Sequence, residues 1–225
     1  MTTTELKDIL SNPLQLIEGD TLSATKCKDL AKVLMSQFWI AKGSRHYWIT
    51  DLEFYLYADS HRDIITYPRK CEAGCWFFHD SGVDLAFKST IELARHPKNK
   101  SFKPTLTQDS VFGGILLRGI EPVEPLDLPD GAILKLNGPH KLCNHLFDQF
   151  SALAIDESFP LLESSSWERK TADMKVCPRE GFPDNAQDKV KSIKYNYSFL
   201  YLPDCELENA YTGYKEKKYH YMLHR

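Results

Sequence analysis

Apolar and polar positions alternate with period two from Arg45 to His61, RHYWITDLEFYLYADSH, and this predicts a long strand with two unlike faces. Trp48, Leu52, Phe54 and Leu56 share one face, an ordinary core stripe. Tyr47, Ile49, Asp51, Glu53, Tyr55 and Tyr57 share the other, where two carboxylates stand among aromatics. A carboxylate in such company is costly unless water, a partner or a ligand meets it. A solvated sheet face is one reading. The other makes the face the floor of a cleft, with Glu53 as reacting acid or base and the tyrosines as walls.

The remaining pattern surrounds that strand. Residues 1–20 are mixed and interrupted by Pro13 and Gly19, which suggests a short helical or irregular lead-in. Leu30, Val33 and Leu34 recur at helical spacing behind the capping candidates Thr21 and Ser23, predicting a helix over Ser23 to Met35. Phe38 to Ala41 is a strand joined to Tyr47–Tyr57 through Lys42-Gly43-Ser44. Asp59 to Ala73 reads as loop. Asp80-Ser81-Gly82 then turns a hairpin of Trp76 to His79 and Val83 to Phe87, with Trp76, Phe77 and Phe78 read as core. Arg95 to Lys103 is a basic loop, either solvated or in contact with phosphate. Phe112 to Ile120, FGGILLRGI, is a central strand carrying a second misplaced charge, Arg118, for which Glu53 is the natural partner if the two strands are neighbours. Ala132 to Leu136 is a strand. Asn137-Gly138-Pro139 starts a helix with Pro in its first turn and Leu142, Leu146, Phe147 and Phe150 on its buried side. Lys191 to Leu202 alternates as a strand.

Composition narrows the classes. The 225 residues are 42% hydrophobic, enough for a real core, and no internal repeat or long linker divides them, so one domain over 1–225 is expected. A net charge of -3 gives no global attraction to nucleic acid, leaving only a local patch for a polyanion. No apolar run approaches the roughly 18 residues of a membrane span, and MTTTELKDIL lacks a signal-peptide core. Six scattered cysteines suit reduced thiols. A cytoplasmic or nucleoid-associated monomer is expected, without cofactor or membrane association.

Four segments in order, LAKVLMSQFWI (30–40), ITDLEFYLYADSH (49–61), ILLRGIEP (115–122) and NGPHKLCNHL (137–146), resemble the methylpurine-DNA glycosylase family, also called alkyladenine or 3-methyladenine DNA glycosylases. PREGF (178–182) extends the resemblance over most of the chain. The resemblance implies an α+β fold, a single mixed domain around a curved, mainly antiparallel sheet flanked by helices. It also implies base excision: a damaged purine is flipped out of double-stranded DNA and its N-glycosidic bond is cut by an activated water. On this resemblance Glu53 is the catalytic acid and Arg118 helps to hold the water. Tyr55 is a stacking wall, His61 hydrogen-bonds in the base pocket, and Gly138, Pro139 and Lys141 lie near the DNA backbone.

Departures from the family pattern are concentrated in the hairpin. The second stacking aromatic falls at His79, the intercalating tyrosine at Ser81 or Gly82, and a base-screening asparagine near Lys88. This leaves a noncatalytic relative that binds nucleic acid or a free nucleobase as the alternative. His61, Cys71, Cys75 and His79 also supply zinc-ligand types in one short stretch, with loosely finger-like spacing. No metal is the primary expectation.

Overall fold

The computed structural model describes residues 1–95, 102–124, 134–149, 153, 158–171, 174–179 and 217–223. The lead-in is more regular than its sequence suggests. Helix α1 (Thr3–Ser11) begins with a capping box in which Glu5 N–H donates to Thr2 Oγ1 at 3.2 Å and Thr2 N–H donates to the Glu5 carboxylate at 2.7 Å. A 3₁₀ turn (Pro13–Leu16) and a small ribbon of β1 (Ile17–Glu18) and β2 (Thr21–Leu22) lead to α2 (Ala24–Gln37). Ser23 caps α2, and Cys27, Leu30, Ala31, Leu34 and Met35 are buried at the i, i+3, i+4 spacing of a core-facing helix.

The main sheet is curled and holds ten strands among the described residues, every pair of them antiparallel. β3 (Phe38–Lys42) and β4 (Arg45–Ala58) form the first hairpin. Beyond them lie β5 (His61–Arg62), the hairpin of β6 (Trp76–His79) and β7 (Gly82–Ala86), the separate ribbon of β8 (Glu92–Arg95) and β9 (Phe102–Thr105), and β10 (Phe112–Pro122). The basic stretch from Arg95 to Lys103 is thus entered and left by strands, and residues 96–101 lie outside the described set. After β10 come β11 (Leu136–Asn137), helix α3 (Pro139–Leu146), β12 (Leu161–Ser164), β13 (Met174–Cys177) and β14 (His220–Leu223). Of the strand predicted over 132–136, residues 132–133 fall outside the described residues, Leu134 and Lys135 are not in a strand, and Leu136 opens β11; the strand predicted over 191–202 falls outside the described residues altogether.

The spatial order is β12-β3-β4-β10-β7-β6, with β11 on β10, β5 and β14 on β4, and β13 on β14. The ends of this path approach each other: Trp76 Nε1–H of β6 donates to the Pro160 carbonyl, just before β12, at 2.8 Å. β4 is the axis. One edge pairs with β10 along nearly its whole length, and the other is shared in turn by β3, β14 and β5. Its apolar face packs as expected. Leu52, Phe54 and Leu56 are fully buried, Phe54 sits opposite Ile115, which sits opposite Leu85, and Phe54 meets Tyr221 edge-on at 5.5 Å.

β6 corrects one expectation. It ends the sheet path with β7 as its paired neighbour, so Trp76 and Phe77 are only half-buried and Phe78 is exposed, not core. Phe78 packs instead edge-on against Phe147 at 4.7 Å.

Candidate active site

Cross-strand neighbours in a sheet share a face, and here one row collects the chemistry. Cys177 of β13 pairs with His220 of β14, His220 with Glu53 of β4, Glu53 with Leu116 of β10, Leu116 with Asp84 of β7, and Asp84 with Phe77 of β6. The row thus crosses six strands on the polar face of β4.

Glu53 is fully buried at its centre. Its Oε2 lies 3.3 Å from Arg118 Nη1 and accepts a hydrogen bond from the Tyr55 hydroxyl at 2.8 Å, while its Oε1 lies 3.6 Å from His220 Nδ1. Arg118 reaches this point through a bulge. Register passes from Leu117 opposite Leu52 to Gly119 opposite Asp51, leaving Arg118 as the extra residue. Gly119 allows that crowding, since a Cβ there would lie 2.8 Å from Asp51 Cβ. Two residues before Glu53, Asp51 bonds His220 Nε2 at 2.5 Å. Burial alone would depress the His220 pKa, but the bond to Asp51 and the charges of Asp51 and Glu53 outweigh it and hold it above the ordinary histidine value.

Two further buried ion pairs flank this knot. Asp84 is held by Arg69 and by His79 Nε2 at 3.0 Å; burial would raise its pKa, yet the Arg69 charge and the His79 contact keep it low. Asp63 is gripped by Arg179 at 2.6 and 3.3 Å, and both side chains are fully buried. The Arg179 guanidinium lies over Tyr55 at 4.5 Å and Tyr219 at 5.2 Å. Tyr55 is therefore enclosed on several sides, and burial together with the neighbouring Glu53 charge pushes its phenol pKa well up. It donates a proton in a hydrogen bond and does not give one away near neutrality.

The other sequence candidates fall in different places. The Gly138 N–H donates to the Arg118 carbonyl at 2.7 Å, which brings the start of α3 beside the arginine. Gly138 caps α3 with φ 101°, Pro139 follows, and Lys141 is exposed in the first turn. His79 belongs to the Asp84 pair, not to the Glu53 contacts, and stacks on Phe77 at 5.8 Å. His61 is buried, with Nδ1 2.9 Å from the Asp20 carbonyl and its ring edge-on to Tyr219; its link to Tyr55 runs through Tyr219 and Arg179. Lys88 is exposed beyond the far end of β7, roughly 20 Å of strand from the hairpin turn. Its N–H donates to Leu10 of α1. The zinc alternative gains no geometry: among the described residues no three or more His, Cys, Asp and Glu side chains are placed to hold a metal ion.

Sequence reasoning missed His220, Cys177, Asp63 and Arg179 as site residues. Arg179 stood inside PREGF and His220 inside a tyrosine-rich tail, the only available signals. Beside Asp51 opens a cavity of about 200 Å³, lined also by Thr50, Lys135, Asn137, Arg169 and Glu121. It is small against the usual ligand cleft and suits a single ring system better than an extended ligand.

These features define an α+β protein whose curled antiparallel sheet carries a buried acid, base and guanidinium on one face. No protein-family model matches the chain. Over 137 residues it is 26% identical to uncharacterized protein L759 of Acanthamoeba polyphaga mimivirus, an alignment covering 57% of this chain and 60% of the viral protein. The chain thus spans about three fifths of that relative's length. No helix among the described residues is long and apolar enough to cross a membrane.

Proposed function

We propose that the protein is a DNA glycosylase of the methylpurine-DNA glycosylase type, hydrolysing the N-glycosidic bond of a flipped-out alkylated or otherwise damaged purine. The observation that carries this reading is Glu53: a fully buried carboxylate fixed between Arg118 and Tyr55, both of which retain some exposure. In this mechanism Glu53 accepts a proton from a water molecule, whose oxygen bonds to the anomeric carbon while the base leaves with the glycosidic electron pair. The same carboxylate opposes positive charge growing on the sugar, and Arg118 orients the water. Tyr55 keeps Glu53 in register. The start of α3, tied to the Arg118 carbonyl, offers backbone amides and Lys141 to the DNA backbone.

Single-turnover excision on duplexes carrying hypoxanthine, ethenoadenine or methylated purines tests this. Wild type is expected to release base, and Glu53→Gln to lose activity by about 10²-fold or more.

A second reading, a noncatalytic binder of nucleic acid or free nucleobase, is favoured by the hairpin turn. Ser81 and Gly82 supply no wedge, and Gly82 packs against Pro139, where an added Cβ would lie 2.8 Å from the proline Cβ. No excision of any lesion, with binding retained, would establish it.

A further inference from the structure

The sheet row contains more than Glu53 uses. Cys177 Sγ lies 3.3 Å from His220 Nδ1, and the opposite ring nitrogen, Nε2, lies 2.5 Å from Asp51. Thiol, imidazole and carboxylate thus stand in line, the carboxylate fixing the ring and the ring addressing the sulfur, as a nucleophilic thiol requires. The alignment is set by backbone register, because Cys177 and His220 are paired across β13 and β14, and Asp51 sits opposite Met222, two residues beyond His220. His220 is fully buried while Cys177 is half-buried.

We propose that Cys177, His220 and Asp51 form a second reactive centre, in which Cys177 is a modification site for soft carbon electrophiles. Beside the His220 imidazolium the Cys177 S–H proton is lost to solvent, the thiolate electron pair forms the S–C bond, and the leaving group departs with the electrons of the bond it breaks. The groups facing His220 are Asp51 and Glu53 from β4, Arg118 from β10 and Cys177 from β13. The two carboxylates favour the imidazolium that stabilises the thiolate, and Arg118 opposes it. The centre stands on register and distance and does not depend on glycosidic chemistry, so it survives if excision is never found.

The four other cysteines among the described residues supply internal standards. Cys27 is buried, and burial pushes its thiol up to about 12; burial also raises the thiols of Cys71 and Cys143. Cys75 is exposed and serves as the comparison. An unperturbed thiol of pKa about 8.5 is roughly one part in 300 thiolate at pH 6, and that fraction rises about tenfold per pH unit.

The test is limited alkylation of the folded full-length protein with iodoacetamide from pH 6 to 8, followed by peptide mass spectrometry of each cysteine. At pH 6 Cys177 is expected to react at least about tenfold faster than Cys75, with a much flatter pH profile. His220→Gln should bring Cys177 down to the rate and slope of Cys75, and Asp51→Asn should do so in part. Cys177 reacting no faster than Cys75 in wild type, or rising with pH in parallel with it, overturns the proposal. So does a folded His220→Gln protein that keeps the fast reaction. The wild-type profile decides the matter even if both variants fail to fold.

Discussion

Replacing Arg179 by Met removes a charge from a place where neither member of its ion pair touches solvent. The Arg179 and Asp63 side chains are both fully buried, and the guanidinium also contacts the Phe54 carbonyl at 3.3 Å and lies over two tyrosine rings. Met restores much of the apolar stem but leaves Asp63 with the Ile65 N–H, at 3.2 Å, in place of its bidentate partner. Breaking a buried pair from one side costs about 3–5 kcal/mol, since the abandoned charge stays desolvated. At about 2–4 °C per kcal/mol for a chain of this size, thermal unfolding should fall by roughly 6–20 °C. Urea denaturation of wild type, Arg179→Met, Asp63→Asn and the double variant measures the coupling. The double variant should be more stable than Arg179→Met, because the orphaned charge is gone. A loss below about 1 kcal/mol in Arg179→Met, or a double variant no better than the single, would refute the reasoning.

Two other outcomes follow from the same geometry. The folded pKa of His220 lies above its unfolded value of about 6.5, so its contribution to stability is whole below that pH and disappears as pH rises through the folded pKa. The urea midpoint should therefore fall on raising the pH from 6, and His220→Gln should flatten the fall; an unchanged slope in the variant would exclude His220 as the source. Gly82→Ala combines φ 138° with a Cβ 2.8 Å from Pro139 Cβ and should cost about 1–3 kcal/mol in thermal unfolding. An unshifted Tm would mean that the turn does not bear on α3.

What could be read in advance follows the range of the interactions. β4 announced itself because alternation is local, and its two carboxylates stood out as misplaced within a few residues. Arg118 was legible for the same reason, but not the bulge that aims it, which exists only in register with β4. The hairpin of β6 and β7 was visible in Asp80-Ser81-Gly82, whereas the half-exposure of Trp76 and Phe77 was not. An apolar run reads alike at the centre of a sheet and at its rim, and only strand order separates them. His220 was hidden by distance. It meets a carboxylate 169 residues earlier and a thiol 43 residues earlier, and no periodicity encodes such a meeting. His61 was legible as the histidine that follows β4, but not the return of β5 onto β4 that sets its ring beside the Asp20 carbonyl.

The four residues of β14 connect both halves of the polar row. One edge holds β13 with Cys177, the other holds β4 with Glu53, and just before the strand the Tyr219 carbonyl receives the Phe54 N–H at 2.9 Å. A strand so short detaches as a unit if it detaches at all, since it has few ladder bonds to lose one by one. Its departure would strip the thiol of its base, Glu53 of its imidazole neighbour and Arg179 of its Tyr219 face in a single event. Both proposed kinds of chemistry therefore share one lifetime, that of β14 in its slot, and whatever lengthens it protects them together.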